Sequence, residues 1–335
     1  MKKIINSPEN FEDETLQGIV AAYGDKVGIL EANKRVLYSK YPAPDKKVGI
    51  VTGGGSGHLP VFLGYVGQGL LDACAVGNVF ASPSAQTMAD AIAKADRGNG
   101  VLCLYGNYGG DRLNFEMACE MAEMDDIETE SVLVCDDVAS SPKAEPEKRR
   151  GVAGMVYAFK IAGAAAESGM SLKDVAETTK KALENTRTMG IALSPCIVPR
   201  VGTPGFSIAD DEIEIGMGIH GEKGISVEKM TTADEIAGKI FAALDEDMPL
   251  TEGEEVSVMV NGLGGTPLEE QLIIYREIYR LLKKKGITVV MPHIGEFATS
   301  MEMAGLSVTI IKLDDELKRL LLLPAKSPFY TNYNK

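Results

Sequence analysis

Three short apolar runs, "KKVGIV" (46–51), "GVLCLY" (100–105) and "SVLVCDD" (131–137), constrain this chain more than anything else in it. Each is β-rich and almost continuously hydrophobic, as a sheet strand covered on both faces must be. Each breaks into a polar or glycine-rich stretch: "TGGGSGH", "GNYGGD" and "DDVASSP". Helix-like segments alternate with these runs, so the predicted class is α/β. In open α/β sheets, ligands lie beyond the carboxyl ends of the strands, so the three stretches are expected to share one crevice.

The helices carry their own punctuation. "SLKDVAETTKKAL" opens on Ser171 with Asp174 at capping-box spacing, and "TADEIAGKIFAAL" repeats the device with Thr232 and Glu235. In "TPLEEQLIIYREIYRLLKKKG", Thr266 is the expected N-cap, Pro267 the first helical residue and Glu269 the closing acid. Gly286, after three lysines, ends it. "DEIEIGMGIHGEKG" alternates apolar and polar residues with period two, which predicts a half-buried strand over 212–219 with His220 at its end. At 335 residues the chain exceeds one ordinary core. The expected division falls in "MGIALSPCIVPRVGTPGF", giving domains 1–190, with the glycine run and Asp111, and 191–335, with His220.

A net charge of −14 argues against nucleic acid or an anionic membrane as the main partner. The five cysteines have no metal-type spacing, and Cys103 and Cys135 fall in apolar runs where a buried thiol is expected. "MKKIINSPENFEDE" is too polar for a signal peptide and no apolar run reaches membrane-spanning length, so a cytoplasmic location is expected.

The glycine cluster "GGGSGH" has neither the lysine of a P-loop nor the G-x-G-x-x-G order of a dinucleotide site, which also disfavours a nicotinamide-dependent dehydrogenase. A plain tight turn would explain the glycines alone. With His58 attached, the amides of the loop and a titratable ring together suit a small polar ligand. Asp111 follows a strand and two glycines, where it is either a helix N-cap or a crevice carboxylate, or both. His220, flanked by glycines on the polar side of its strand, fits nucleophile, base or metal ligand. Metal is the weakest of these, since no second histidine or cysteine stands at ligand spacing. His293 has no polar cluster around it and reads as structural. Residue types alone thus indicate a small-molecule site with two histidines and an aspartate, suited to acid–base or nucleophilic chemistry on a compact polyol or carbonyl compound.

"GGGSGH", "FASP", "NYGGDRLNFE", "RRGVAG", "GMGIHGEKGI", "NGLGGTPLEE" and "TSMEMAGLSVTIIKLDDE", in order along nearly the whole chain, resemble the substrate-binding K subunit of dihydroxyacetone kinase. The resemblance implies two α/β domains, each a mixed sheet flanked by helices, and a homodimer. It implies that His220 attacks a ketone carbon to form a covalent hemiaminal, that Asp111 takes the proton from the hydroxyl to be phosphorylated, and that His58 hydrogen-bonds the substrate and shares the acid–base work. Gly55, Ser56 and Gly57 would supply backbone contacts. No nucleotide or metal is expected on this chain: ADP or ATP with Mg belongs to an all-helical L subunit, expected in trans because the chain ends at Lys335. A phosphotransferase-system M subunit recharges ADP in some members. Two residues depart from the family pattern. Leu59 stands where an acidic residue follows the loop histidine, and Gly106 stands where a lysine contacts substrate. Loss of both side chains implies a pocket that accepts a four-carbon ketose such as erythrulose as well as, or instead of, dihydroxyacetone. Some relatives bind the ketone and signal to a transcription factor, so a non-catalytic sensor or co-activator is the alternative.

Overall fold

The computed structural model describes residues 2–333. After helix α1 (Phe11–Tyr23), the apolar runs of the first half fold into one mixed sheet. Its members in chain order are β1 (Val27–Ile29), β2 (Val36–Ser39), β3 (Gly49–Ser56), β4 (Ala73–Val79), β5 (Val101–Gly106) and β6 (Thr129–Val134). Spatially they run β1-β2-β4-β3-β5-β6. β4, β3, β5 and β6 are mutually parallel, so their carboxyl ends open on one side, while β1 and β2 add antiparallel pairing at the edge. Helices α2 (Ala85–Ala95) and α3 (Gly109–Met124) cover one face; α4 (Met155–Glu167) and α5 (Leu172–Glu184) follow. α4 is buried along its length from Met155 to Ala166 because "MVYAFKIAGAAA" is apolar almost all round, and it lies between the two halves.

The second sheet holds β7 (Thr186–Ala192), β8 (Glu212–Ile215), β9 (Ser226–Lys229), β10 (Glu255–Gly262), β11 (Thr288–Val289), β12 (His293–Gly295) and β13 (Gly305–Leu313). Its order is β11-β10-β13-β7-β8-β9, with β12 also on β10. It too is mixed: β10 is parallel to β11 and β12 and antiparallel to β13. Helices α6 (Ala233–Asp247) and α7 (Leu268–Lys284) flank it, and α8 (Asp315–Leu322) leads to the small ribbon of β14 (Ala325–Lys326) and β15 (Thr331–Asn332). The predicted α/β class with two helix-flanked mixed sheets is the observed one. The division expected at 190/191 falls inside β7.

Several local expectations are corrected. The glycine cluster is not simply a turn: Gly53, Gly54 and Gly55 continue β3 and pair with Ala75, Val76 and Gly77 of β4. They are glycines because something crosses them. A Cβ on Gly54 would meet the Phe62 ring at 2.4 Å, and one on Gly55 would meet the Ala81 nitrogen at 2.7 Å. β8 stops at Ile215, four residues before the predicted end, because Gly216 (φ +79) turns the chain, and Met217 and Ile219 enter the core from an irregular segment. Thr266 does not cap α7, whose N-cap is Pro267; its hydroxyl instead donates to the Gly305 carbonyl at 2.7 Å and accepts the Gly305 N–H at 2.8 Å, tying α7 to β13. Asp111 is the third residue of α3, and the N-cap is Tyr108. Cys103 is fully buried as expected, whereas Cys135 lies just past β6 and is half-buried. Ser171 and Thr232 cap as predicted, the latter with Glu235 in a complete capping box.

Candidate active site

The carboxyl ends of β3 and β5 and the turn after β8 bring His58, Asp111 and His220 together. β3 delivers His58 one residue after Gly57, whose φ of +97 swings the chain back across Phe80 and Met301. The His58 ring is buried, stacked on Phe80 at 4.7 Å between centroids and edge-on to Phe62 at 6.0 Å. Phe62 and Phe80 themselves hold left-handed backbone, φ 67 and 57, a strained conformation that concentrates at binding sites. Nδ1 of His58 donates to the Thr299 carbonyl at 2.8 Å, which leaves Nε2 as a buried acceptor with no partner. Burial first, and the nearby His220 second, lower its pKa to about 3, so the ring is neutral.

His220 meets the other side of this aromatic box. Its ring is edge-on to His58 at 4.6 Å, to Tyr108 at 4.7 Å and to Phe80 at 5.4 Å. Glu222 returns across the turn so that Oε1 accepts Nδ1–H at 2.7 Å and Oε2 accepts the His220 backbone N–H at 2.9 Å. Burial raises the Glu222 pKa, but the hydrogen bond from His220 outweighs it and the carboxyl ends at about 2. An ionised acceptor on Nδ1 fixes the proton there and leaves the Nε2 lone pair for a ligand.

Asp111 reaches the crevice from the first turn of α3 and is 5% exposed. Its Oδ1 has no hydrogen-bond partner. Burial pushes its pKa up to about 6, against the lowering effects of a hydrogen bond from Ser82 and of nearby His220. Tyr108, three residues earlier, donates to the Gly151 carbonyl at 3.0 Å and packs on His220, so one short stretch after β5 holds both the wall and the carboxylate. An unpartnered neutral acceptor, a nucleophilic nitrogen and a carboxylate with one unpartnered oxygen and a raised pKa are the parts needed to bind a carbonyl compound and deprotonate one of its hydroxyls.

Gly55, Ser56 and Gly57 line this loop, but the Ser56 hydroxyl is committed to the Gly77 carbonyl at 2.8 Å. Gly106 packs under Tyr108, where a Cβ would stand 3.1 Å from that ring. Leu59 lines a cavity of about 360 Å³ that also takes in Gly55, Ser56, Gly57 and His58 and reaches Phe11, Thr15 and Met301 on the α1 side of the loop. His293 is remote, beside Tyr330 at 3.1 Å. Among the described residues, no three metal-ligating side chains stand together. Nor, among the described residues, is any helix long and apolar enough to cross a membrane. Sequence reasoning missed Glu222, Tyr108, Phe80 and Ser82 as site residues. All four lie within stretches quoted above for their family likeness or directly beside one.

The chain matches the Dak1 domain over residues 17–329. Over 98% of its length it is 46% identical to the dihydroxyacetone-binding subunit DhaK of PTS-dependent dihydroxyacetone kinase 2 from Listeria innocua, 99% of which is covered. The chain belongs to the dihydroxyacetone kinase K-subunit family. This K subunit is also 42% identical, over 98% of its length, to an L-erythrulose kinase of Pectobacterium atrosepticum, of which it spans 56%. The K-subunit fold is shared with the dihydroxyacetone kinase of C. freundii in complex with AMP-PNP and Mg2+, with a TM-score of 0.89 and 30% identity, covering 99% of this chain and 61% of that one. It is shared equally with the dihydroxyacetone kinase operon co-activator Dha-DhaQ, with a TM-score of 0.89 and 30% identity, covering 96% of this chain and 98% of that one.

Proposed function

We propose that this K subunit binds a small ketose covalently on His220 and presents its terminal hydroxyl for phosphorylation by a separate nucleotide-bearing L subunit. The observation that carries the reading is the pairing of a free Nε2 on His220 with the unpartnered Oδ1 of Asp111 around one aromatic-walled crevice. The Nε2–carbon bond forms as the carbonyl π pair becomes a carbinol oxygen. Glu222 stabilises the positive charge that develops on the ring, which sheds its Nδ1 proton as the carbinol oxygen gains one, so the adduct is neutral. A carbonyl makes this bond and an alcohol of the same size cannot, so reactivity selects ketose over polyol. The adduct fixes the terminal hydroxyl near Asp111, which takes its proton as the phosphoryl group arrives. His58, neutral and with Nε2 unpartnered, accepts a substrate hydroxyl.

The nucleotide, ADP or ATP with Mg, sits on the L subunit; where it is kept as ADP, an M subunit of the phosphotransferase system phosphorylates it, and the phosphoryl group so gained is the one transferred. The K subunit acts as a homodimer in the cytoplasm. Dihydroxyacetone and erythrulose are both substrates: the relatives named for each are almost equally similar to this chain. Both departures bear on this: Gly106 lies against the Tyr108 ring that packs on His220, and Leu59 lines the cavity shared with Gly55, Ser56, Gly57 and His58. Intact-mass titration with each sugar, on the wild type and on His220→Ala, tests the reading. One ketose mass gained by the wild type and not by the variant supports it; no adduct, or an adduct that survives His220→Ala, sinks it. The co-activator likeness supports a second reading, a ketose sensor. Turnover with the L subunit separates the two, because a sensor forms the adduct without phosphorylating it.

A further inference from the structure

Arg150 bridges the two halves of the molecule beneath His220. Its Nε and Nη2 reach Asp137 Oδ2 at 2.9 and 2.7 Å, just beyond β6. Nη2 also donates to the Gly216 carbonyl at 3.0 Å, at the point where the chain leaves β8, and Nη1 stands 3.9 Å from Glu222 Oε2. Asp137 is 2% exposed and its other oxygen accepts the Ala139 N–H at 3.0 Å, so the anchor is rigid. The turn it holds is closed by Gly218 N–H on the Glu222 carbonyl at 3.0 Å and Gly221 N–H on the Gly218 carbonyl at 3.1 Å. Gly218 is the second independent sign that this contact is built. A Cβ there would lie 2.1 Å from Glu222 Oε2 and 2.6 Å from Arg150 Nη1, so any larger residue would push the guanidinium and carboxylate apart.

We propose that Arg150 is a positioning residue for His220: it fixes the 216–222 turn from the opposite half of the chain and sets its charge beside Glu222, keeping the ring protonated on Nδ1 and unprotonated on Nε2. A planar fork with several fixed donors does this; an ammonium on a flexible stem does not reproduce it. Without the guanidinium, the Gly216 carbonyl and Glu222 Oε2 lose their tie to Asp137, so the turn shifts and the Nδ1–H contact with Glu222 is no longer held in place. The inference rests on the covalent reading of His220, and its test separates the two.

The chain has three histidines, so imidazole nitrogen spectra of protein labelled in histidine contain three ring pairs. The wild type is expected to show His220 with Nδ1 protonated. In Arg150→Met the His220 signals move toward the Nε2-protonated form while those of His58 and His293 stay put, and adduct formation needs about tenfold more dihydroxyacetone, the scale of one lost charge-assisted hydrogen bond. Arg150→Lys restores only part of either effect. Gly218→Ala sets one methyl against both Glu222 Oε2 and Arg150 Nη1 and gives the same shift, and the partial effect of Arg150→Lys decides the matter if Arg150→Met fails to fold. Unchanged His220 signals and unchanged dihydroxyacetone affinity in a folded variant overturn the proposal. If the wild type forms no adduct at all, the covalent reading fails by itself, and the tautomer measurement still stands or falls on its own.

Discussion

At the scale of single residues, Asp111 sets the pH behaviour. Its carboxyl is raised from an ordinary 3.8 to about 6 chiefly by burial, so it is protonated in the folded chain at pH values where the unfolded chain has already lost the proton. Between about 4 and 6 the folded state therefore binds more protons, and this group's contribution to stability falls as pH rises through that window. Activity moves the other way, because only the carboxylate can accept the hydroxyl proton. With the L subunit supplied, kcat/KM should climb with pH around 6 and then level off; a profile flat from 5 to 8 would remove Asp111 from the base's role. Asp111→Asn should keep the ketose adduct but lower phosphoryl transfer by roughly 10²–10⁴-fold, the usual range for a general base. The three principal residues were legible because each is a rare or charged side chain set against glycines. Glu222 and Phe80 were not. Glu222 reaches His220 only because Gly221 takes φ +82 and Gly218 has no Cβ, and Phe80 reaches His58 only through its own φ of 57.

At the scale of elements, the parallel strands and the capped helices were readable, since continuous apolar runs and Ser/Thr caps have few other interpretations. The misreadings share one cause. Gly53–Gly55, the 212–219 run and Thr266 were judged on local pattern, and each is governed by a partner distant in sequence: Phe62 and Ala81, the Gly216 turn, and Gly305. That gives a testable contrast between two glycines. Gly55→Ala sets a methyl 2.7 Å from the Ala81 nitrogen and 3.0 Å from the Phe80 Cα, both backbone, so neither yields cheaply. It should cost about 1–3 kcal/mol and loosen Phe80 from His58, lowering ketose affinity as well. Gly109→Ala, at the first residue of α3, meets nothing within 4 Å and should be neutral or stabilising by up to about 1 kcal/mol. Urea midpoints at constant slope would measure both, and equal midpoints for the two variants would contradict the steric account of the glycine run.

At the scale of the whole molecule, the two sheets share a core. One core cluster joins Leu16, Ile50 and Tyr65 of the first half to Met217, Leu263, Met303 and Tyr330 of the second. Buried Lys160 of α4 donates to the Leu320 carbonyl of α8 at 2.7 Å, and its pKa is lowered by burial to about 7. Buried Arg149 holds Asp247 at the end of α6, Nη1 to Oδ1 at 2.9 Å, and Arg187 of β7 takes the same carboxylate. Ser327, after β14, returns to donate to the Gly64 carbonyl at 2.6 Å. The candidate site obeys the same logic, since His58 is held by Thr299 and the turn that carries His220 is tied to Arg150 of the other half. Such coupling predicts one cooperative transition. The chain has no tryptophan, so far-ultraviolet dichroism and tyrosine fluorescence are the probes, and their thermal curves should coincide with equal calorimetric and van't Hoff enthalpies. Residues 1–190 and 191–335 produced separately should each fail to fold, because the cut severs β7 from within and strips α4 and α8 of their shared core. Two resolved transitions, or a folded fragment, would show that the halves are independent and that the site is assembled by docking rather than by folding.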